Sequence, residues 1–192
     1  MADHLLSLVR GRRGHFRLES GHHGEVWFDL ETLCLKALEI RPFAERLASQ
    51  LQKYQVDVVC GPLVEGAYIA LLVSLELGCQ FTYAERFADP AREELFPVHY
   101  RLPKSLRSAV AAKRVAIVND VISAGSAVRG TFFDLRDIGA EVVAIGALLA
   151  LGESITGFAA SHGVALELLE RIPNNLWKPE ECPLCAAGIT IE

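Results

Sequence analysis

The chain has 192 residues, 51% hydrophobic and 22% charged, with a net charge of −5 at pH 7. That length suits one α/β domain with a substantial core and is short for two. The acidic balance argues against a nucleic-acid groove or an anionic membrane surface as the main partner. The most apolar stretch, residues 145–151, has strand length and falls far short of a bilayer span. Asp3, His4 and Arg10 interrupt the N-terminus too early for a signal-peptide core. Five cysteines at spacings that suggest no disulfide framework point to a reducing cytoplasm.

In chain order, residues 3–10 read as a short amphipathic helix. Two strand-like pieces follow, 15–18 and 26–29, about a turn at Ser20-Gly21-His22. Residues 37–54 place Ile40, Phe43, Leu47 and Leu51 near helical spacing and predict a helix. Strands and helices then alternate: strand 56–60, helix 66–77, strand 80–84, strand 114–118, helix 127–138, strand 142–149, helix 154–161 and strand 164–169. This alternation predicts βαβ units in an α/β fold, with a mainly parallel central sheet flanked by helices. Residues 85–113 break the pattern. They are charged and proline-bearing, with no helix before 104–111, and a connection of that length reads as a mobile functional flap. The tail from residue 172 is rich in Pro and Asn. No repeat or linker divides the chain, so residues 1–192 read as a single domain.

The most informative segment is 114–129, RVAIVNDVISAGSAVR. An apolar strand ends in Asn119 and Asp120. A small-residue turn (Ser123, Ala124, Gly125, Ser126, Ala127) then opens a helix. Amides and hydroxyls of such a turn can face phosphate oxygens, and the helix dipole favours negative charge there. Bulkier side chains would keep the backbone from approaching the anion. An ordinary βα turn needs only a cap, and two hydroxyl residues flanking a glycine just after an acid exceed that need. A second strand–loop–helix corner, Gly61 to Gly66 with Val64 and Glu65 between them, could present amides to another anion. A carboxylate at Glu65 would repel phosphate unless it turns away or meets Mg²⁺.

The 119–126 segment resembles the phosphoribosyl-pyrophosphate (PRPP) signature of the type I phosphoribosyltransferases: strand, two acids, two aliphatics, then a Thr/Ser-Ala/Thr-Gly-Thr/Ser turn. Residues 14–30 are similar to the start of orotate phosphoribosyltransferases through Gly14, Phe16, Ser20, Gly21, Trp27, Phe28 and Asp29. The likeness covers roughly residues 14–150. It implies the type I phosphoribosyltransferase fold with a small N-terminal hood (1–35), a mobile loop region (85–113) and a C-terminal tail (172–192). It also implies transfer of ribose 5-phosphate from PRPP to a base such as orotate, with Mg²⁺, in a cytoplasmic homodimer whose mobile loop serves the neighbouring subunit. PRPP would be held by Asn119, Asp120, Ser123, Ala124, Gly125, Ser126 and Ala127, and by Gly61, Val64, Glu65 and Gly66. Asp120, Arg86 and Lys104 would be catalytic. Phe16, Glu19, Trp27 and Phe28 would line the base pocket.

The departures from that pattern matter as well. The first acid of the signature is Asn119, which cannot add charge for Mg²⁺ or for a ribosyl cation. Glu19 stands where orotate enzymes generally carry a lysine, and Leu151-Gly152-Glu153 where they carry an arginine for the orotate carboxylate. Their loop is rich in Lys with a His-Gly; here it offers Arg86, Arg92, His99, Arg101, Lys104 and Arg107. These differences leave open a different base, or a PRPP- or nucleotide-binding regulator without turnover. In the tail, Cys182 and Cys185 have the spacing of half a zinc site, whose other ligands would come from Cys34, Cys60, Cys79, a His or a second subunit. A pair of unpaired thiols is the alternative. Adjacent His22 and His23 point to opposite faces of an extended segment and read as exposed turn residues. Trp177 is expected to pack the tail onto the domain.

Overall fold

The computed structural model describes residues 2–88 and 98–192. The chain opens with α1 (Ala2–Leu8), β1 (Arg10–Arg17) and β2 (His23–Asp29), then α2 (Ala37–Leu51), β3 (Val58–Pro62) and α3 (Glu65–Leu77). Next come β4 (Gln80–Ala88), β5 (Val98–Arg101), α4 (Lys104–Val110), β6 (Arg114–Ile122) and α5 (Ser126–Asp137). The last elements are β7 (Glu141–Leu151), α6 (Ser154–His162), β8 (Ala165–Ile172), β9 (Leu176–Trp177) and a short helix α7 (Pro183–Ala186).

Period-two alternation in the central strands supplies two cores, one on each face of the sheet. Val58 and Cys60 of β3 join Val115 and Ile117 of β6 in the core that holds Val128, Phe132 and Phe158. Val59, Ala116 and Val118 point the other way, against Ile40, Leu47, Ile69 and Val73 of α2 and α3. Strands buried on both faces read as continuous apolar runs, which is why these segments stood out in the sequence. The six-stranded sheet runs β5-β4-β3-β6-β7-β8, parallel except for the antiparallel edge pair β4 and β5. A separate antiparallel sheet, β1-β2-β9, forms the hood.

Several boundaries depart from expectation for physical reasons. The hood strands are longer, because Arg10, Arg12 and Arg13 pair with Asp29, Trp27 and Val26 although their polar side chains carry no alternating apolar signal. β6 runs through Asp120 to Ile122, held by parallel pairing with β7 from Asn119 opposite Ala147 to Ile122 opposite Ala150. Within the expected 85–113 loop, the described residues 85–88 and 98–113 are largely folded. Glu85, Arg86 and Phe87 pair with Arg101, Tyr100 and His99, and α4 follows. The remainder, 89–97 with Arg92, lies outside the described residues.

Connections from β3 lead outward to β4 on one side, and those from β6 lead to β7 and β8 on the other. The carboxyl ends of β3 and β6 thus flank a topological switch point, the crevice where open α/β sheets take ligands.

Candidate active site

A cavity of about 260 Å³ sits at that switch point, roofed by the hood. Its floor is Pro62 to Gly66 from the β3–α3 corner and Asn119 to Val128 from β6, the following turn and α5. Leu18, Glu19, Ser20, Val26, Trp27, Phe28 and Leu30 descend from the hood, and Tyr100 and Leu151 complete the wall.

The 123–127 turn has the form of an open cradle. Gly125 caps α5 at φ 88°, a left-handed conformation that glycine adopts without strain. The first helical bond is the Arg129 N–H donating to the Gly125 carbonyl, so the amides of Ser126, Ala127 and Val128 have no partner within the helix. The Ala124 carbonyl accepts from Ser154 Oγ at 2.9 Å and from Arg129 Nε at 3.4 Å. The peptide is planar and trans, so this anchorage turns the Gly125 N–H away from those two side chains. Ser123 Oγ is buried in the cavity wall without a hydrogen-bond partner.

Asp120 is 3% exposed, and its Oδ2 has no hydrogen-bond partner. Burial pushes its carboxyl up to about 7, the nearby charge of Glu65 adds to the rise, and the Val121 N–H works against it. Asn119 is tied down, its Nδ2 donating to the Val121 carbonyl at 2.9 Å. Two glycines allow α3 to approach this strand. A Cβ at Gly61 would lie 2.6 Å from Ala67 Cα and Ala70 Cβ, and one at Gly66 would overlap the Asn119 carboxamide oxygen. Gly61 itself lies in β3 beneath the cavity wall, while Val64 and Glu65 reach the wall, and the Leu63–Val64 peptide is cis.

On the hood side, Glu19 is held from two directions. Arg86 Nε lies 3.0 Å from its carboxylate, and Tyr100 Oη donates to both oxygens at 3.2 and 3.1 Å. Burial, then the Glu19 charge, pushes the Tyr100 phenol up, so it stays a donor. Glu153 turns to Arg171 and Thr156 on the surface, and Leu151 takes the cavity position beside it.

These contacts correct several expectations. Phe16 is buried behind Trp27, ring centroids 5.8 Å apart, and does not reach the cavity. Within a single chain Arg86 extends to Glu19 and stands off that chain's own cavity wall, the loop's expected service being to the neighbouring subunit. Lys104 is exposed at the start of α4, a helix fixed by the Arg107–Asp134 pair at 2.8 Å, and it too is away from the wall. His23 is 5% exposed and hence no surface turn residue; His22 is half-buried with Nδ1 3.0 Å from Ser20 Oγ. Cys182 and Cys185 meet His15 and His23, whereas Cys34, Cys60 and Cys79 lie elsewhere. Trp177 pairs through β9 with His23, so the tail packs on the hood. Sequence reasoning missed Tyr100, Ser154 and the anchoring role of Arg129; the alternating Val98-His99-Tyr100 was the one available signal, for β5.

The family model described as the phosphoribosyl transferase domain matches residues 35–174. The chain belongs to that family. Among its curated relatives, the orotate phosphoribosyltransferase of Thermotoga maritima is 30% identical over 183 residues, covering 93% of this chain and 88% of the relative. The orotate phosphoribosyltransferase of Caldanaerobacter subterraneus subsp. tengcongensis is 28% identical over 179 residues, covering 93% and 87%. The solved orotate phosphoribosyltransferase of Aeropyrum pernix superposes with a TM-score of 0.65 at 24% identity, over 88% of this chain and 93% of that one. The adenine phosphoribosyltransferase of Thermoanaerobacter pseudethanolicus gives 0.68 at 16% identity, over 90% and 100%. At those identities the two structures speak for the shared fold. The family match ends at residue 174, so the tail with Cys182 and Cys185 lies beyond it.

Proposed function

We propose that the chain is an orotate-phosphoribosyltransferase-like enzyme that transfers ribose 5-phosphate from PRPP to a ring nitrogen of a base, releasing pyrophosphate. The observation that carries the reading is Asp120: a buried carboxylate with an unsatisfied oxygen, beside an open phosphate-sized turn, under an aromatic roof. In this reading the 123–127 amides and Ser123 Oγ hold the 5-phosphate, with no cationic side chain at the cavity wall among the described residues. Asp120 faces the ribose hydroxyls, with Asn119 beside it. As the bond to pyrophosphate lengthens, positive charge grows on the ribosyl ring, and Asp120 supplies the anionic neighbour that stabilises it.

Three carboxylates, Glu19, Glu65 and Asp120, line the cavity. A pyrophosphate entering past Glu65 therefore fits only with a cation, and Mg²⁺ held there would neutralise the leaving group. Trp27 and Phe28 offer flat apolar surface to a base. Leu151 at the wall, and Arg86 already engaged by Glu19, leave no cation for a carboxylate at the cavity wall among the described residues and favour a second reading in which the acceptor carries none. The reading includes a homodimer in a reducing cytoplasm, where five free cysteines remain stable. Among the described residues no helix is long and apolar enough to cross a membrane.

The test is pyrophosphate release from PRPP and Mg²⁺ across a panel of pyrimidine and purine bases. Turnover with orotate supports the first reading, and turnover only with bases lacking a carboxylate supports the second. PRPP binding with no turnover on any base would replace both with a regulatory role.

A further inference from the structure

Where the tail crosses the hood, four ligand-type side chains converge from opposite ends of the chain. His15 lies on β1, His23 on β2, and Cys182 and Cys185 on the tail, with all four donor atoms within 4.8 Å of one another. His15, Cys182 and His23 are 1%, 3% and 5% exposed. We propose that these four residues form a structural Zn²⁺ site that clamps the tail onto the hood.

Four of the six donor–donor edges are close to those of a tetrahedral zinc site. His15 Nε2 lies 3.1 Å from His23 Nδ1, 3.5 Å from Cys182 Sγ and 3.7 Å from Cys185 Sγ, while Cys185 Sγ lies 3.2 Å from His23 Nδ1. Zinc bonded to nitrogen and sulfur at ordinary lengths gives N···N edges of about 3.3 Å and N···S edges of about 3.6 Å. A hydrogen-bond pair would need only two of these groups; four facing one centre make a complete ligand set for an ion. The tautomer also fits. His15 Nδ1 is 2.7 Å from the Ile189 carbonyl, which only accepts, so Nδ1 carries the proton and Nε2 presents a lone pair inward. Carbonyl-oriented imidazoles of this kind are the usual outer support of zinc ligands.

The sequence builds the site locally as well. Pro183 starts α7 immediately after Cys182, and the Ala186 N–H donates to the Cys182 carbonyl, which brings sulfurs three residues apart to one side. Two thiolates and two neutral imidazoles exactly balance Zn²⁺, so a nearly buried ion leaves no net charge to solvate. Thiolate ligands disfavour Mg²⁺ and Ca²⁺, and four protein donors leave no open position for catalysis.

The clamp has a consequence for the cavity. His15 and His23 bracket the turn in which the Leu18 N–H donates to the His22 carbonyl at 2.8 Å, and that turn carries Glu19 and Ser20 into the cavity wall. The tail adds further ties around the metal: β9 pairs Trp177 with His23, the Glu192 N–H donates to the His15 carbonyl at 2.8 Å, and Arg12 meets Glu192 at 3.0 Å.

The test is metal analysis of the untagged full-length protein, followed by exchange to Co²⁺. The proposal expects one zinc per chain, retained through gel filtration. The Co²⁺ form should show the visible absorption of a tetrahedral ion and a thiolate charge-transfer band. Cys185→Ser, at the exposed ligand, should weaken metal affinity at least as much as the roughly 10–100-fold typical of losing an outer-shell partner. Protein that holds no stoichiometric metal, with both tail thiols freely reactive, would overturn the proposal. So would a thiolate–cobalt band that survives the Cys182→Ser/Cys185→Ser double substitution. The wild-type cobalt spectrum decides the matter even if a variant fails to fold.

Discussion

At the scale of single residues the account turns on the ionisation of Asp120. An aspartate ordinarily titrates near 3.8, and burial lifts this one to about 7. Between those values the folded chain keeps a proton that the unfolded chain has lost. The residue's contribution to stability is therefore complete below about pH 4 and is lost as pH rises through about 7. Asp120→Asn, neutral throughout, removes that dependence: its stability relative to the parent should rise between about pH 5 and about pH 8, as read by urea unfolding. An identical pH slope in both proteins would contradict the burial argument. In the proposed reaction activity runs the opposite way, because the carboxylate form is the one that would stabilise the ribosyl cation. The kcat/KM for PRPP should climb with pH through about 7, and Asp120→Asn should lower it on the order of 10²–10³-fold without that limb. In the proposed function Glu19 stands on the base side of the cavity. Glu19→Gln keeps the Tyr100 contact but removes a negative charge, so the kcat/KM ratio of an anionic to a neutral base should rise by about fivefold, the equivalent of ~1 kcal/mol. An unchanged ratio would mean that Arg86 already screens the charge from the base.

At the scale of elements, the two strand–loop–helix corners are set by contacts behind them. Ser154→Ala deletes the 2.9 Å bond to the Ala124 carbonyl, which should raise KM for PRPP roughly two- to tenfold while leaving kcat near its parent value. A matching fall in kcat would place Ser154 in the chemistry instead of the scaffold. Gly66→Ala drives a methyl into the Asn119 carboxamide and must push α3 away from β6. Such overpacking costs typically 1–3 kcal/mol, visible as a lower Tm. The corners themselves were legible in the sequence, because apolar strand, acid, small-residue turn and helix follow one another within a few residues. Their anchors were not, since Ser154 reaches Ala124 from another helix and no local pattern marks that contact. The resemblance places Arg86 and Lys104 in a loop that serves the neighbouring subunit; within one chain, pairing of β4 with β5 takes the first to Glu19 and α4 holds the second away from the cavity wall.

At the scale of the whole molecule, continuous apolar runs of strand length announced the parallel sheet, and their alternation with helices announced the layers. The hood was harder to read. Its arginine-rich edge pairs through backbone bonds that ignore side-chain polarity, so only parts of β1 and β2 were expected. The tail was harder still, because His15 and Cys182 meet across nearly the full length of the chain, and half of a ligand set gives no direction to the other half. Adjacent His22 and His23 do point to different surroundings, as an extended segment requires, but the side expected to be solvent is the inside of the hood–tail junction. The assembled cavity lies at the one place where the sheet's strand order reverses, with the hood closing it from above. Everything assigned to PRPP rests on that cavity receiving the ribosyl 5-phosphate at the 123–127 turn. The most direct measurement is a crystal structure of the chain with ribose 5-phosphate. The account predicts the phosphate against the amides of that turn and the ribose hydroxyls at Asp120; a phosphate bound elsewhere, with the turn empty at saturating ligand, would contradict it.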